Sequence, residues 1–109
     1  MSDEAAIKRA AALERALLRR VLLVDKMIEQ NGRCYYCHRT IERNARDEDG
    51  RATLDHVISQ ARGGEDSADN CVACCLPCNK IKDDGTVDEL LSNPEFRVRL
   101  YEVNANEVP

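Results

Sequence analysis

Apolar residues recur along this chain first at helical and then at strand-like spacing. Ile7, Ala10, Leu13, Leu17, Val21, Val24 and Ile28 fall at three- and four-residue steps, which puts them on one stripe of a helix. The pattern predicts one long amphipathic helix over 3–30, with Ser2 as its cap, Asp3 and Glu4 at its positive end and Asn31-Gly32 as its stop. Lys8, Arg15, Arg19 and Lys26 lie seven, four and seven apart and share a face of the same helix. That face reads as solvated surface, with phosphate contact as the sharper alternative. The apolar stripe offers a surface for a homodimer or a protein partner, or for folding back on the rest of the chain.

Beyond Arg33 the texture changes to short segments, turns and cysteines. Arg51 to Ile58 alternates weakly, as a short strand does, and Arg62-Gly63-Gly64-Glu65-Asp66 is rich in turn formers. Cys71-Val72-Ala73-Cys74 can return as the second strand of a hairpin. Pro77 suits the first turn of a helix that runs through Lys82 and ends at Asp83-Asp84-Gly85. Thr86-Val87-Asp88-Glu89 has capping-box spacing and starts another short helix, stopped before Pro94. Phe96, Val98, Leu100 and Tyr101 belong to a final short element. Without a repeat or linker, 1–109 reads as a single domain: a helix over 3–30, a cysteine-bearing core over 33–85 and a helical tail over 86–109.

The chain has 109 residues, one Phe, three Tyr and no Trp, so its core lacks large aromatic anchors, and a domain this small is marginal without a staple. Six cysteines fit that need. The opening segment carries mixed charge throughout rather than a basic cap and an apolar run, and the apolar stretch Val21 to Val24 is far too short to span a bilayer. The expected setting is therefore the cytoplasm, of bacterial or phage-encoded character and without membrane attachment. There, paired cysteines read as metal ligands before disulfides. The net charge of −4 and a pI near 5.2 argue against a nucleic-acid partner, although Arg33, Arg39, Arg43 and Arg46 cluster around the first cysteine pair.

Cys34-Tyr-Tyr-Cys37 and Cys75-Leu-Pro-Cys78 are two C-x-x-C knuckles with 37 residues between them. Each offers two thiolates, and together they complete the tetrahedral shell of a structural Zn²⁺. Cys71-Val-Ala-Cys74 is a competing C-x-x-C; Pro77 assigns the metal to Cys75 and Cys78, leaving Cys71 and Cys74 as small hydrophobes. Cys34-Tyr-Tyr-Cys37-His38 also matches the c-type haem attachment motif, a reading that needs export and leaves the second knuckle without a role. Thiol redox chemistry at a C-x-x-C is the remaining alternative.

Of two histidines, His38 adjoins a knuckle as a surface or outer-shell residue, and His56 follows Asp55 in the strand-like segment. After them come Gly63-Gly64, Asp69-Asn70 and Cys75-x-x-Cys78-Asn79-Lys80. In order and spacing these residues resemble the HNH endonuclease family over roughly 33–85, with Asn79 standing where the family's final histidine often stands. The resemblance implies an α+β fold: a small ββα-metal core (the His-Me finger) stabilised by the four-cysteine zinc site and preceded by the long helix. It implies His56 as the general base that activates water, Asp55 and Asn79 as holders of one divalent cation, and Asn70 as the brace that orients the histidine. An imidazole near its free pKa of ~6.5 suits water activation at neutral pH. Two oxygen ligands suit Mg²⁺ or Mn²⁺ rather than a second zinc. DNA is the implied partner, with Arg62, Lys80 and Lys82 as candidate phosphate contacts against a plain reading as solvated charge. The competing function is a non-catalytic zinc-stabilised module that binds nucleic acid or protein.

Overall fold

The computed structural model describes residues 2–107. Helix α1 spans Ser2–Glu29, and the cap expected at Ser2 lies outside the described side chains. The predicted stop is present: Asn31 and Gly32 both take positive φ, and the Gly32 amide donates to the Met27 carbonyl at 2.7 Å. The packing face differs from the expected stripe. Leu22 is buried and Leu23, Lys26, Met27 and Gln30 are partly covered, whereas Ile7, Leu13, Leu17, Val21 and Ile28 are exposed. The reason is length. A 28-residue helix reaches about 42 Å at 1.5 Å per residue, so it packs on the rest of the chain through its C-terminal part, from Arg19 onward, in a molecule that measures 59 × 26 × 23 Å in all.

Strand β1 (Ala52–His56) pairs antiparallel with β2 (Cys71–Cys75), with Ala52 opposite Cys75 and His56 opposite Cys71. β1 is shorter than the alternation suggested because Val57 and Ile58 leave the ladder to bond the backbone and side chain of Asn70. Every residue of β2 is buried. Its outer edge is covered rather than open: the Gln30 side chain both donates to and accepts from Ala73, and the Tyr35 amide donates to the same carbonyl.

Helix α2 (Leu76–Lys82) follows β2 directly, with its proline in the first turn as expected, and completes a ββα unit. Helix α3 (Val87–Ser92) begins at Thr86, whose hydroxyl accepts from the Glu89 amide at 3.1 Å. The final element is helix α4 (Pro94–Glu107); Phe96 and Val103 are buried while Val98 and Tyr101 face out. Phe96, Leu90 and Val103 join Cys74 and the four knuckle cysteines, Tyr36, Ile41, Ala52 and Val72 in one core. The architecture is thus α+β, a two-stranded sheet with a long N-terminal helix and the four cysteines gathered at the sheet's end.

Candidate active site and metal centre

The two knuckles arrive from opposite ends of the ββα unit. Cys34 and Cys37 sit on the turn after α1, while Cys75 ends β2 and Cys78 lies one turn into α2. Their four sulfurs lie within 4.8 Å of one another, and Cys37 Sγ and Cys75 Sγ are 3.7 Å apart. That is far beyond a disulfide bond and close to the edge of a tetrahedron with Zn–S near 2.3 Å, about 3.8 Å. The amides of Tyr36 and Cys37 both donate to Cys34 Sγ at 3.4 Å, a contact that favours the thiolate. Contact with Cys37 pulls the Cys34 thiol far below its ordinary range, and contact with Cys34 pushes Cys37 and Cys78 far above it. Four sulfurs this close cannot all ionise without a cation, so the donor set fits a structural zinc ion. Cys71 and Cys74 stand outside the cluster, and burial raises both thiols, as expected of small hydrophobes.

One contact to this cluster has no signal in the motif. Arg99 of α4, 9% exposed, donates from Nη2 to Cys75 Sγ at 3.1 Å and to the Asp49 carbonyl at 2.9 Å. Four thiolates around a dication leave two negative charges, and a buried guanidinium offsets part of them. Its Nε, buried, is without a partner among the described residues. We expect Arg99→Met to weaken zinc retention roughly 10- to 100-fold, read by competition with a chromogenic chelator; unchanged retention refutes the contact's role.

Asp55, His56 and Asn79 line a single polar cleft between β1 and α2, together with Ser59, Gln60, Asp83 and Asp84. Both contacts to the Asp55 carboxylate fall on Oδ2, from Tyr36 Oη at 2.6 Å and Lys82 Nζ at 3.3 Å. Both Asn79 contacts use Nδ2, which donates to Thr53 Oγ1 at 3.0 Å and more weakly to the Leu54 carbonyl. Among the described residues, one oxygen of each is therefore uncommitted, and the pair fits a hard divalent cation. His56 Nε2 meets Asp66 Oδ1 at 2.5 Å, and this bond holds the Asp66 carboxyl below its ordinary range. With Asp66 ionised, His56 Nε2 is the donor of this bond. Arg19 of α1 holds the other oxygen, Oδ2, at 3.6 Å.

Asn70 lies outside the cleft, on the loop. Its Oδ1 accepts from the Ile58 amide and its Nδ2 donates to the carbonyls of Ile58 and Glu65, closing the segment that carries Asp66. The glycine pair is explained there. Gly63 has φ 94°, and any side chain on Gly64 would collide with the Ile58 carbonyl. Arg62 is exposed and reaches the Asp84 carbonyl and Glu89, and Lys80 is exposed near Glu48.

Lys82 departs from its expected place. It is buried rather than presented to a phosphate, bonding the His56 carbonyl at 2.9 Å and Asp55. The cause is that the last turn of α2 lies against β1. Lys82→Met leaves the buried Asp55 without its counter-charge and should cost about 3–5 kcal/mol, seen as a lower urea midpoint at unchanged slope. A loss under about 1 kcal/mol contradicts the pairing. Tyr36, Asp66 and Arg99 were not legible as site residues. Only a polar-tipped aromatic inside the first knuckle and an acid after the glycine pair pointed to the first two.

A ββα unit clasped by two cysteine knuckles, with Asp, His and Asn on one cleft, is a nuclease-type arrangement with a candidate metal site. Residues 34–85 match the family model for HNH endonuclease. No curated protein matches the chain. No helix among the described residues is long and apolar enough to cross a membrane.

Proposed function

We propose that the protein is an endonuclease that hydrolyses DNA phosphodiester bonds, with Zn²⁺ on Cys34, Cys37, Cys75 and Cys78 and Mg²⁺ or Mn²⁺ on Asp55 and Asn79. The observation that carries this reading is the single cleft in which Asp55 and Asn79 each leave an oxygen free beside His56. His56 is the general base: Nδ1 takes a proton from water while Asp66 fixes the ring and the tautomer. Lys82 and Tyr36 hold Asp55 in one rotamer. Asn70 fixes the loop that brings Asp66 to the ring. The divalent ion, when bound, supplies charge stabilisation for the phosphate and the leaving oxygen. Arg62 and Lys80, both exposed, are the phosphate contacts of this reading.

The test is conversion of supercoiled plasmid with Mg²⁺ or Mn²⁺, run beside His56→Ala. Dependence on the ion and loss in the variant support the reading; equal cutting by both proteins removes it. A second reading, a zinc-stabilised module that recruits a homodimer mate or another protein, draws on the exposed Leu17 and Val21 of α1. It requires no cleavage with any divalent ion.

A further inference from the structure

Outside the four-cysteine cluster, a second group of potential ligands meets beneath the loop that follows β1. An imidazole nitrogen of His56, a carboxylate oxygen of Asp66 and Cys71 Sγ all lie within 4.8 Å of one another. His56 and Cys71 are opposite each other in the β1–β2 register, and Asp66 is brought over them by the loop that Asn70 closes. Cys71 is buried and belongs to neither knuckle; its thiol reaches the Glu65 carbonyl at a loose 3.9 Å and also contacts the Ser67 backbone. The sequence assigns this cysteine only a packing role.

We propose that His56, Asp66 and Cys71 form a second transition-metal site with one open position, selective for Zn²⁺ or Co²⁺ over Mg²⁺. One nitrogen, one oxygen and one thiolate are the mixed donor set that borderline ions prefer and Mg²⁺ does not. Thiolate plus carboxylate also neutralise a dication, so the occupied site carries no net charge. Ligand lengths of about 2.0–2.3 Å call for donor separations near 3.3–3.6 Å. The His56–Asp66 pair, at 2.5 Å, opens slightly to admit the ion, and the Cys71 side chain closes in. Both movements are side-chain rotations. The imidazole and carboxylate are about one-sixth exposed, which leaves the ion a path from solvent. Arg19 keeps its hold on Asp66 Oδ2, away from the oxygen that binds. On binding, Cys71 releases its thiol proton to solvent. Three protein ligands and an open fourth position resemble the shell of a reactive or regulatory zinc rather than a closed structural one. On the nuclease reading the same ion silences His56, since an imidazole bearing a cation on one nitrogen loses basicity at the other.

Binding is measured without reference to cleavage, so the proposal and the nuclease reading fail separately. The purified full chain, carrying one equivalent of zinc, is titrated with Co²⁺ while its zinc content is followed. We expect a second equivalent, with a thiolate-to-cobalt charge-transfer band that the oxygen ligands of Asp55 and Asn79 cannot produce. Cys71→Ser, nearly isosteric, should lose that band while retaining its zinc, and Asp66→Asn should weaken the second equivalent roughly tenfold or more. A wild-type chain that takes up no second thiolate-bound ion overturns the site. So does a band that persists unchanged in Cys71→Ser.

Discussion

Removing zinc from Cys34, Cys37, Cys75 and Cys78 should unfold the ββα unit, a loss on the order of 10 kcal/mol. The size follows from what the cluster replaces. β1 and β2 form a sheet of two strands, which is marginal by itself in water. Around it the core offers one phenylalanine, a single fully buried leucine and a set of cysteines rather than large aliphatic side chains. Small domains hold only about 5–15 kcal/mol in total, so a term of this size exceeds the margin. Chelation should therefore abolish the near-ultraviolet signal of Tyr35 and Tyr36, whose rings meet edge to face at 5.2 Å beside the knuckle, and added zinc should restore it. Cys34→Ser should behave like the chelated protein. A metal-free chain that keeps its tertiary signal and melts within a few degrees of the zinc form contradicts the assignment.

His56→Ala should reduce plasmid cleavage roughly 10²- to 10⁴-fold, the range supplied by a positioned general base. The fold should scarcely respond. His56 lies at the end of β1, and the side-chain bond lost is to Asp66, worth about 1 kcal/mol for a group still open to solvent. The Lys82 contact is to the His56 carbonyl and survives the substitution, so Asp55 keeps its counter-charge. Zinc content and the thermal midpoint are the controls: both should stay near wild type while cleavage disappears. Cleavage that persists within threefold of wild type means that another group activates the water.

Much of this architecture is legible in the chain. The C-x-x-C spacing selects its cysteines, the proline in Cys75-Leu-Pro-Cys78 marks the start of α2, and Thr86 with Glu89 marks α3, because each signal is local. Contacts made at a distance leave weaker traces. Nothing near Lys82 signals burial, because its partner Asp55 is 27 residues away on another element. The apolar stripe of α1 has the right period, yet the surface the helix meets covers its C-terminal part from Arg19 onward, so Leu22 and Met27 pack while Leu13 and Leu17 do not. Asp66 is one acid among several in a loop, and only the closed geometry set by Gly64 and Asn70 brings it to His56.

The guanidinium of Arg99 has a practical consequence for anyone dissecting the molecule. The family match ends at Gly85, yet α4 lies beyond it and supplies a hydrogen bond to one of the four sulfurs. A fragment trimmed to the matched residues keeps every cysteine and still loses the cation that balances them. The boundary of likeness and the boundary of the ion's surroundings fall at different places in this chain, and truncation at the first leaves the second incomplete.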